Sequence, residues 1–294
     1  MISKNQFFLL LLLPALSLLV LFILIPVGQS FYLSFHRVIS GLPQLGEAMV
    51  GFENYRDLFH DPVARHSLWT TVIFVGVTTF FELLIGLFLA LLMHRHFPGR
   101  GALRAAVLIP WAIPTVVAAQ MWRFLMNDAY GTVNYLLFGT ETASYVPWLA
   151  YPATALGAII LADIWKTASF AALLILAGLQ VIPPEIHQAG LVDGAGSWQR
   201  FRHITWPLIR PAVMVALLFR TIDAFRVFDL AYVLTQGGPA DATNVLQLYG
   251  YKKMFVEGWM GYGSAISVCI FTMALFLAVV YVRAVGRRLL EARV

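Results

Sequence analysis

Apolar residues fall along this chain in long runs separated by short polar loops, and the runs are long enough to cross about 30 Å of hydrocarbon as helices. Six runs are readable, roughly Phe7–Leu33, Leu68–Met93, Arg104–Phe124, Ala153–Leu179, Leu208–Leu234 and Ser264–Val285. They predict an all-α, polytopic membrane protein with one transmembrane domain over residues 1–294. The first run follows Lys4 and could pass for a signal sequence. It is too long for that, and no small-residue cleavage pattern follows Pro26, so it reads as a retained anchor helix. Composition agrees. The chain is 60% hydrophobic and 12% charged, against about 45–50% and about 25% in soluble domains.

Charge sets the expected orientation. Lys4, the His94–Arg104 loop (Arg95, Arg100, Arg104), the loop with Arg200, Arg202 and Arg210, and the tail with Arg287, Arg288 and Arg293 share one side. The opposite loops hold Glu47, Glu53, Asp57, Asp61, Asp128, Glu141, Asp241 and Glu257. The basic side is expected to face the cytoplasm, with both termini there. The net charge of +5 arises largely at helix flanks, so the expected surroundings are membrane lipid and no nucleic acid. Cys269 alone excludes an intrachain disulfide. The scattered histidines form no metal set, and no phosphate-binding G-x-x-x-x-G-K-[ST] loop is present, so the chain is not expected to hydrolyse ATP or to carry a cofactor or metal.

Charges also lie inside the apolar runs. Arg220, Asp223, Arg226 and Asp229 alternate in sign every three residues, so each could pair with the next on a continuous helix. Asp163 and Lys166 are again three apart, and Glu82 lies in the second run. A lipid-facing position would be costly, so these groups are expected to face protein or a hydrated cavity. Arg226 and Asp229 read equally as a packing pair. Arg220, Asp223 and Lys166 read as residues of a transport pathway.

Between the fourth and fifth runs lies Gln188-Ala189-Gly190, three residues, Gly194, nine residues, and Ile204-Thr205-Trp206-Pro207. This spacing resembles the EAA loop of ABC importer permeases (EAA, three residues, Gly, nine residues, I-x-L-P). Gln188, Gly190 and Trp206 depart from its Glu, Ala and Leu. Further motifs are Gly51-Phe52-Glu53-Asn54-Tyr55, Leu108-Ile109-Pro110-Trp111-Ala112-Ile113-Pro114, Tyr130-Gly131-Thr132-Val133-Asn134, Leu234-Thr235-Gln236-Gly237-Gly238-Pro239 and Gly261-Tyr262-Gly263-Ser264-Ala265. In order and spacing they resemble the sugar-permease branch of type I (MetI-like) ABC importers, on the side of the larger maltose permease subunit. The run Leu218–Arg226 is similar to permeases for trehalose and related disaccharides.

The resemblance implies a six-helix permease core, a second homologous permease, two ATPase subunits that bind ATP and Mg, and an extracytoplasmic sugar-binding protein. It implies residence in a bacterial or archaeal cytoplasmic membrane. It places sugar contacts on Lys166, Thr167, Phe170, Arg220, Asp223, Ala224, Val227 and Trp111. It places ATPase coupling on the loop at 183–207, at Glu185, Gln188, Ala189, Gly190, Asp193, Gly194 and Ala195. Because Gln188 cannot offer a carboxylate to an ATPase arginine, coupling is expected to lean on the packing of Ala189, Gly190, Leu191 and Val192. Three alternatives stay open: a glycerol-3-phosphate type substrate met by Arg220 and Lys166, an ion-coupled secondary transporter, and an intramembrane enzyme, for which no catalytic constellation is present.

Overall fold

The structure, a computed structural model, describes residues 4–41 and 47–291, with side chains described for 12–41 and 47–283. The side chains of Lys4, Arg287 and Arg288, and all of Arg293, used above for orientation, lie outside that set. In chain order the helices are α1 (Lys4–Leu19), α2 (Ile25–Ser34), α3 (Glu53–His60), α4 (Pro62–His94), α5 (Arg100–Ala112), α6 (Thr115–Leu125), α7 (Thr132–Phe138), α8 (Pro152–Gln180), α9 (Pro184–Val192), α10 (Ser197–Arg200), α11 (Trp206–Phe225), α12 (Asp229–Thr235), α13 (Leu246–Tyr251) and α14 (Met260–Glu291). A π-type turn over Val20–Leu24 joins α1 to α2. The chain divides into two compact units, 1–65 with 249–272, and 66–248 with 273–294.

In the first unit, a two-residue hairpin pairs His36 with Met49 and Arg37 with Ala48. The Gly51-Phe52-Glu53-Asn54-Tyr55 motif has a local purpose here. Buried Asn54 donates from Nδ2 to the carbonyl oxygens of Ser34 (2.8 Å) and His36 (3.0 Å). The Tyr55 hydroxyl donates to Ser34 Oγ at 2.7 Å. Together they tie α3 to the end of α2, and the bond to Ser34 satisfies a carbonyl that the ending helix leaves open. Asp61 caps α4 through Oδ1, which accepts from the N–H groups of Val63 (2.8 Å) and Ala64 (3.3 Å). Its Oδ2 accepts from the hydroxyls of Tyr262 (2.7 Å) and Tyr249. Gly261 is required by close approach, since a Cβ there would sit 2.0 Å from the His36 carbonyl oxygen.

In the second unit, α8 packs along α11, and α5 and α12 also lie against α8. The core beside α9 comes from α4, α8 and α11: Ala90, Met93, Ala172, Ile175, Leu176, Leu179, Ile209 and Ala216 are all buried. Small residues at several of these positions let the helices approach closely, as packing within a bilayer favours. The Tyr130–Asn134 motif is explained by fully buried Asn134. Its Nδ2 donates to the carbonyls of Asn127 and Val146, and its Oδ1 accepts from Val146 N–H and Trp148 Nε1–H.

The count of six continuous spans is not what the helices show. Among the described residues four are long and apolar enough to cross a membrane: Leu12–Ser34, Pro62–His94, Pro152–Gln180 and Met260–Arg283. The third expected run breaks into α5 and α6, bent by 92°. Ile113 and Pro114 are extended at the break, where proline withholds an N–H and pushes its predecessor out of helical geometry. Counted as one span, this pair makes five. The fifth expected run stops at Phe225 and resumes at Asp229. α11 has 20 residues but holds Arg210, Arg220 and Asp223, so apolarity alone does not mark it as a span.

Candidate functional site

The helix break after Phe225 decides which charges meet. Within α11, Arg220 and Asp223 are one turn apart, and Arg220 Nη1 donates to Asp223 Oδ2 at 2.6 Å. Beyond Phe225 the spacing rule lapses. Among the described residues no ion pair joins Arg226 to Asp223 or Asp229. The expected four-residue chain of pairs is therefore a single pair.

The stronger partner of Arg220 comes from another helix. Its Nε donates to Glu82 Oε2 at 2.5 Å and its Nη2 to Glu82 Oε1 at 2.8 Å, a bidentate fork from α11 to α4. Nη2 also lies 3.2 Å from Asp163 Oδ2 on α8. The Thr167 hydroxyl is 2.5 Å from Glu82 Oε1 and 2.6 Å from the Asp163 carbonyl oxygen, and its one proton serves one of them at a time. Arg220 is 1% exposed and Glu82 is 0% exposed, so the fork between them is buried, whereas the Asp223 side chain is exposed. Three carboxyl groups thus surround one guanidinium. A buried charge is tolerated only when paired and hydrogen-bonded in this way.

Beside the cluster opens a cavity of about 410 Å³, within the range of small-ligand pockets. All eight residues expected to touch substrate line it: Trp111, Lys166, Thr167, Phe170, Arg220, Asp223, Ala224 and Val227. Trp111, at the end of α5, stacks on Phe170 of α8 with ring centres 5.7 Å apart and 19° between planes. Lys166 Nζ donates to the Trp111 carbonyl oxygen at 3.3 Å, not to Asp163 as its spacing suggested. Among the described residues Lys166 and Arg226 make no ion pair. Asp223, Arg226 and Asp229 are exposed on the cavity wall. The pocket lining thus combines an aromatic pair with charged donors and acceptors. Glu82 and Asp163 were legible as charges within apolar runs, but no sequence signal said that α4, α8 and α11 bring them onto Arg220.

The loop at 183–207 forms α9 and a capped turn. Gly194 has φ +74°. Ala195 N–H donates to the Gly190 carbonyl (2.9 Å) and Gly194 N–H to the Leu191 carbonyl (3.0 Å), the paired bonds of a Schellman cap. Glu185, Gln188, Ala189, Asp193 and Gly194 are exposed and Ala195 is half-buried. Leu191 and Val192 are exposed apolar residues. Gly190 instead turns inward, where a Cβ would meet Ile204 Cδ1 at 2.9 Å and the Arg200 side chain at 3.4 Å. It packs the loop internally.

Residues 82–291 match the family described as "Binding-protein-dependent transport system inner membrane component". The chain is 43% identical to the trehalose/maltose transport system permease protein MalF of Thermococcus litoralis, over 95% of this chain and 92% of that one. It is 42% identical to the sulfoquinovosyl glycerol transport system permease protein SmoG of Agrobacterium fabrum, over 93% and 88%. It is 38% identical to the trehalose transport system permease protein SugA of Mycobacterium tuberculosis, over 93% and 86%. Among solved structures, a chain of a bacterial alginate ABC transporter in complex with its alginate-pentasaccharide-bound periplasmic protein matches with TM-score 0.84. That match has 23% identity and covers 97% of this chain and 96% of that chain.

Proposed function

Because the chain belongs to the family of binding-protein-dependent transport system inner membrane components, we propose that it carries a disaccharide of the trehalose/maltose kind across the membrane. It is a multi-pass transport subunit and not an enzyme. The carrying observation is the cavity, which brings the stacked Trp111–Phe170 pair together with Lys166, Asp223 and Arg226. A sugar has the same two characters: apolar C–H faces that lie on rings, and hydroxyls that need both donors and acceptors. The relatives named for trehalose and maltose support this class.

Roles within the site follow from burial. Trp111 and Phe170 support a ring face, and Asp223, Lys166 and Thr167 hydrogen-bond hydroxyls, with Ala224 and Val227 shaping the wall. Arg220 is a positioning residue more than a contact. Its donors are occupied by Glu82, Asp163 and Asp223, and it fixes where the Asp223 carboxylate projects.

The reaction is alternating access in an assembly with a second permease, two ATPase subunits that bind ATP and Mg, and an extracytoplasmic binding protein. The loop side and both termini face the cytoplasm of a bacterium or archaeon, as the Lys and Arg distribution supports. The binding protein delivers sugar to the outer face. ATP binding closes the ATPase dimer, and α9 passes that motion into α8 and α11, between which it lies in the chain. These two helices carry Lys166, Phe170, Arg220 and Asp223, so a rigid shift of either remodels the cavity. The sugar is imported through differences in affinity between conformations.

A second reading is favoured by one observation: Lys166 and Arg226 line the cavity without ion pairs, and one relative is named for sulfoquinovosyl glycerol. In that reading an anionic sugar derivative occupies the pocket. Uptake by proteoliposomes holding the complete assembly, with ATP inside, separates the two. Uptake of labelled trehalose or maltose, not competed by a sulfonated sugar glycoside, is the expected result. Transport of the sulfonated compound alone would overturn the disaccharide reading.

A further inference from the structure

A second groove, of about 720 Å³, lies near the α9 end of the membrane span and away from the cavity residues. Its walls are Leu87 of α4, the aromatic residues Trp198, Phe201 and Trp206, and the guanidinium groups of Arg202 and Arg210. Trp198 stacks on Phe201 at 5.5 Å, and Phe201 lies 6.3 Å from Trp206. No acidic residue lines the groove. Among the described residues, neither Arg202 nor Arg210 forms an ion pair, and both are exposed. The groove therefore presents two uncompensated positive charges next to an aromatic floor.

Its lining, cationic at one part and aromatic and apolar at the rest, points to the occupant. Leu87 precedes His94, the last residue of α4, by seven positions, which at 1.5 Å per residue is about 10 Å inside the helix end. The groove runs from the two arginines to apolar Leu87, on a helix long and apolar enough to cross a membrane. A phospholipid meets both, with its acyl chain along Leu87, its glycerol region at the tryptophan level, and its phosphate by Arg202 and Arg210. Tryptophan is enriched at that level, and cationic side chains there attract anionic headgroups.

We propose that this groove is a binding site for an anionic phospholipid in the leaflet on the α9 side. The charge attraction of each arginine corresponds to roughly five-fold in affinity, or about 30-fold for both. The test uses the complete assembly, with both permeases and both ATPase subunits, in vesicles of phosphatidylcholine with or without phosphatidylglycerol. Native mass spectrometry then reads the lipids retained. The wild type should retain phosphatidylglycerol in preference to phosphatidylcholine, and inorganic phosphate should not displace it. Arg202→Gln with Arg210→Gln should abolish the preference, and Arg202→Lys with Arg210→Lys should keep most of it. Equal retention by wild type and the glutamine variant would overturn the site. So would loss of the ATPase subunits from the glutamine variant in pure phosphatidylcholine, which would assign the groove to subunit docking.

Discussion

Replacing Glu82 with alanine tests whether the buried cluster organises the pocket. The change removes both acceptors of the bidentate fork and leaves Arg220, 1% exposed, with Nε facing a void. Breaking a buried ion pair from one side costs about 3–5 kcal/mol, because the remaining charge stays buried. Asp163 at 3.2 Å and Asp223 at 2.6 Å still face the guanidinium, so the lower end, about 3 kcal/mol, is expected. Glu82→Gln keeps one acceptor and should lose about 1.5–3 kcal/mol, the worth of a hydrogen bond to a charged group. The ion pair between Arg37 and Glu53 is the control. Its side chains are 54% and 44% exposed, and Glu53→Ala should cost no more than about 1 kcal/mol. Thermal unfolding of the assembled complex in lipid discs reads the difference. At about 2–4 °C per kcal/mol, Glu82→Ala should fall by about 6–12 °C and Glu53→Ala by only a few degrees. Glu82→Leu combined with Arg220→Met should cost less than the sum of the single changes, since each single change orphans the other group. A Glu82→Ala assembly as stable as wild type, or no less stable than Glu53→Ala, would refute the reasoning.

Other expectations follow from the same geometry. Trp111→Ala should raise KM for the transported sugar about 2- to 10-fold with little change in kcat, because a stacked aromatic face contributes about 0.5–1.5 kcal/mol; uptake kinetics check this. Gly194→Val should strain the loop by about 1–2 kcal/mol, since the φ of +74° favours glycine, and should lower ATP-driven uptake, whereas Gln188→Glu should be tolerated. ATPase co-purification and uptake measured on both variants give the answer, and a normally transporting Gly194→Val assembly would contradict it. Asp61 titrates below the usual carboxylate range: burial pushes it up, but bonds from Tyr249, Tyr262 and the Val63 and Ala64 N–H groups outweigh that. With the folded value below the unfolded one, near 3.9, its contribution is complete above about pH 4 and fades as pH falls through the folded value. The thermal-stability gap between wild type and Asp61→Asn should therefore narrow in that acid range and stay constant from pH 5 to 7.

What could be read in the sequence was whatever local pattern determines. Apolar runs marked α4, α8 and α14, and the loop spacing singled out Gly194, where the structure turns with a positive φ. Pro110 and Pro114 were both visible, but only the second sits at the 92° bend that converts one expected span into two helices, while Pro110 stays inside α5. The charge row was misread beyond Asp223 because three-residue spacing has meaning only while the helix continues, and it ends at Phe225. The eight expected pocket residues do converge on one cavity. Glu82 and Asp163, the main partners of Arg220 on other helices, escaped because partnership between α4, α8 and α11 is a tertiary fact. No period along a single helix records which neighbour it will face.

The most direct test of the disaccharide reading is ATPase activity of the full assembly with its binding protein in lipid, across a panel of sugars and sugar derivatives, for wild type and Asp223→Asn. The account predicts stimulation by a trehalose- or maltose-type disaccharide, with the sugar concentration for half-maximal stimulation raised in Asp223→Asn while assembly stays intact. Stimulation unchanged by Asp223→Asn, or a response confined to a phosphate ester or a sulfonated sugar, would contradict it.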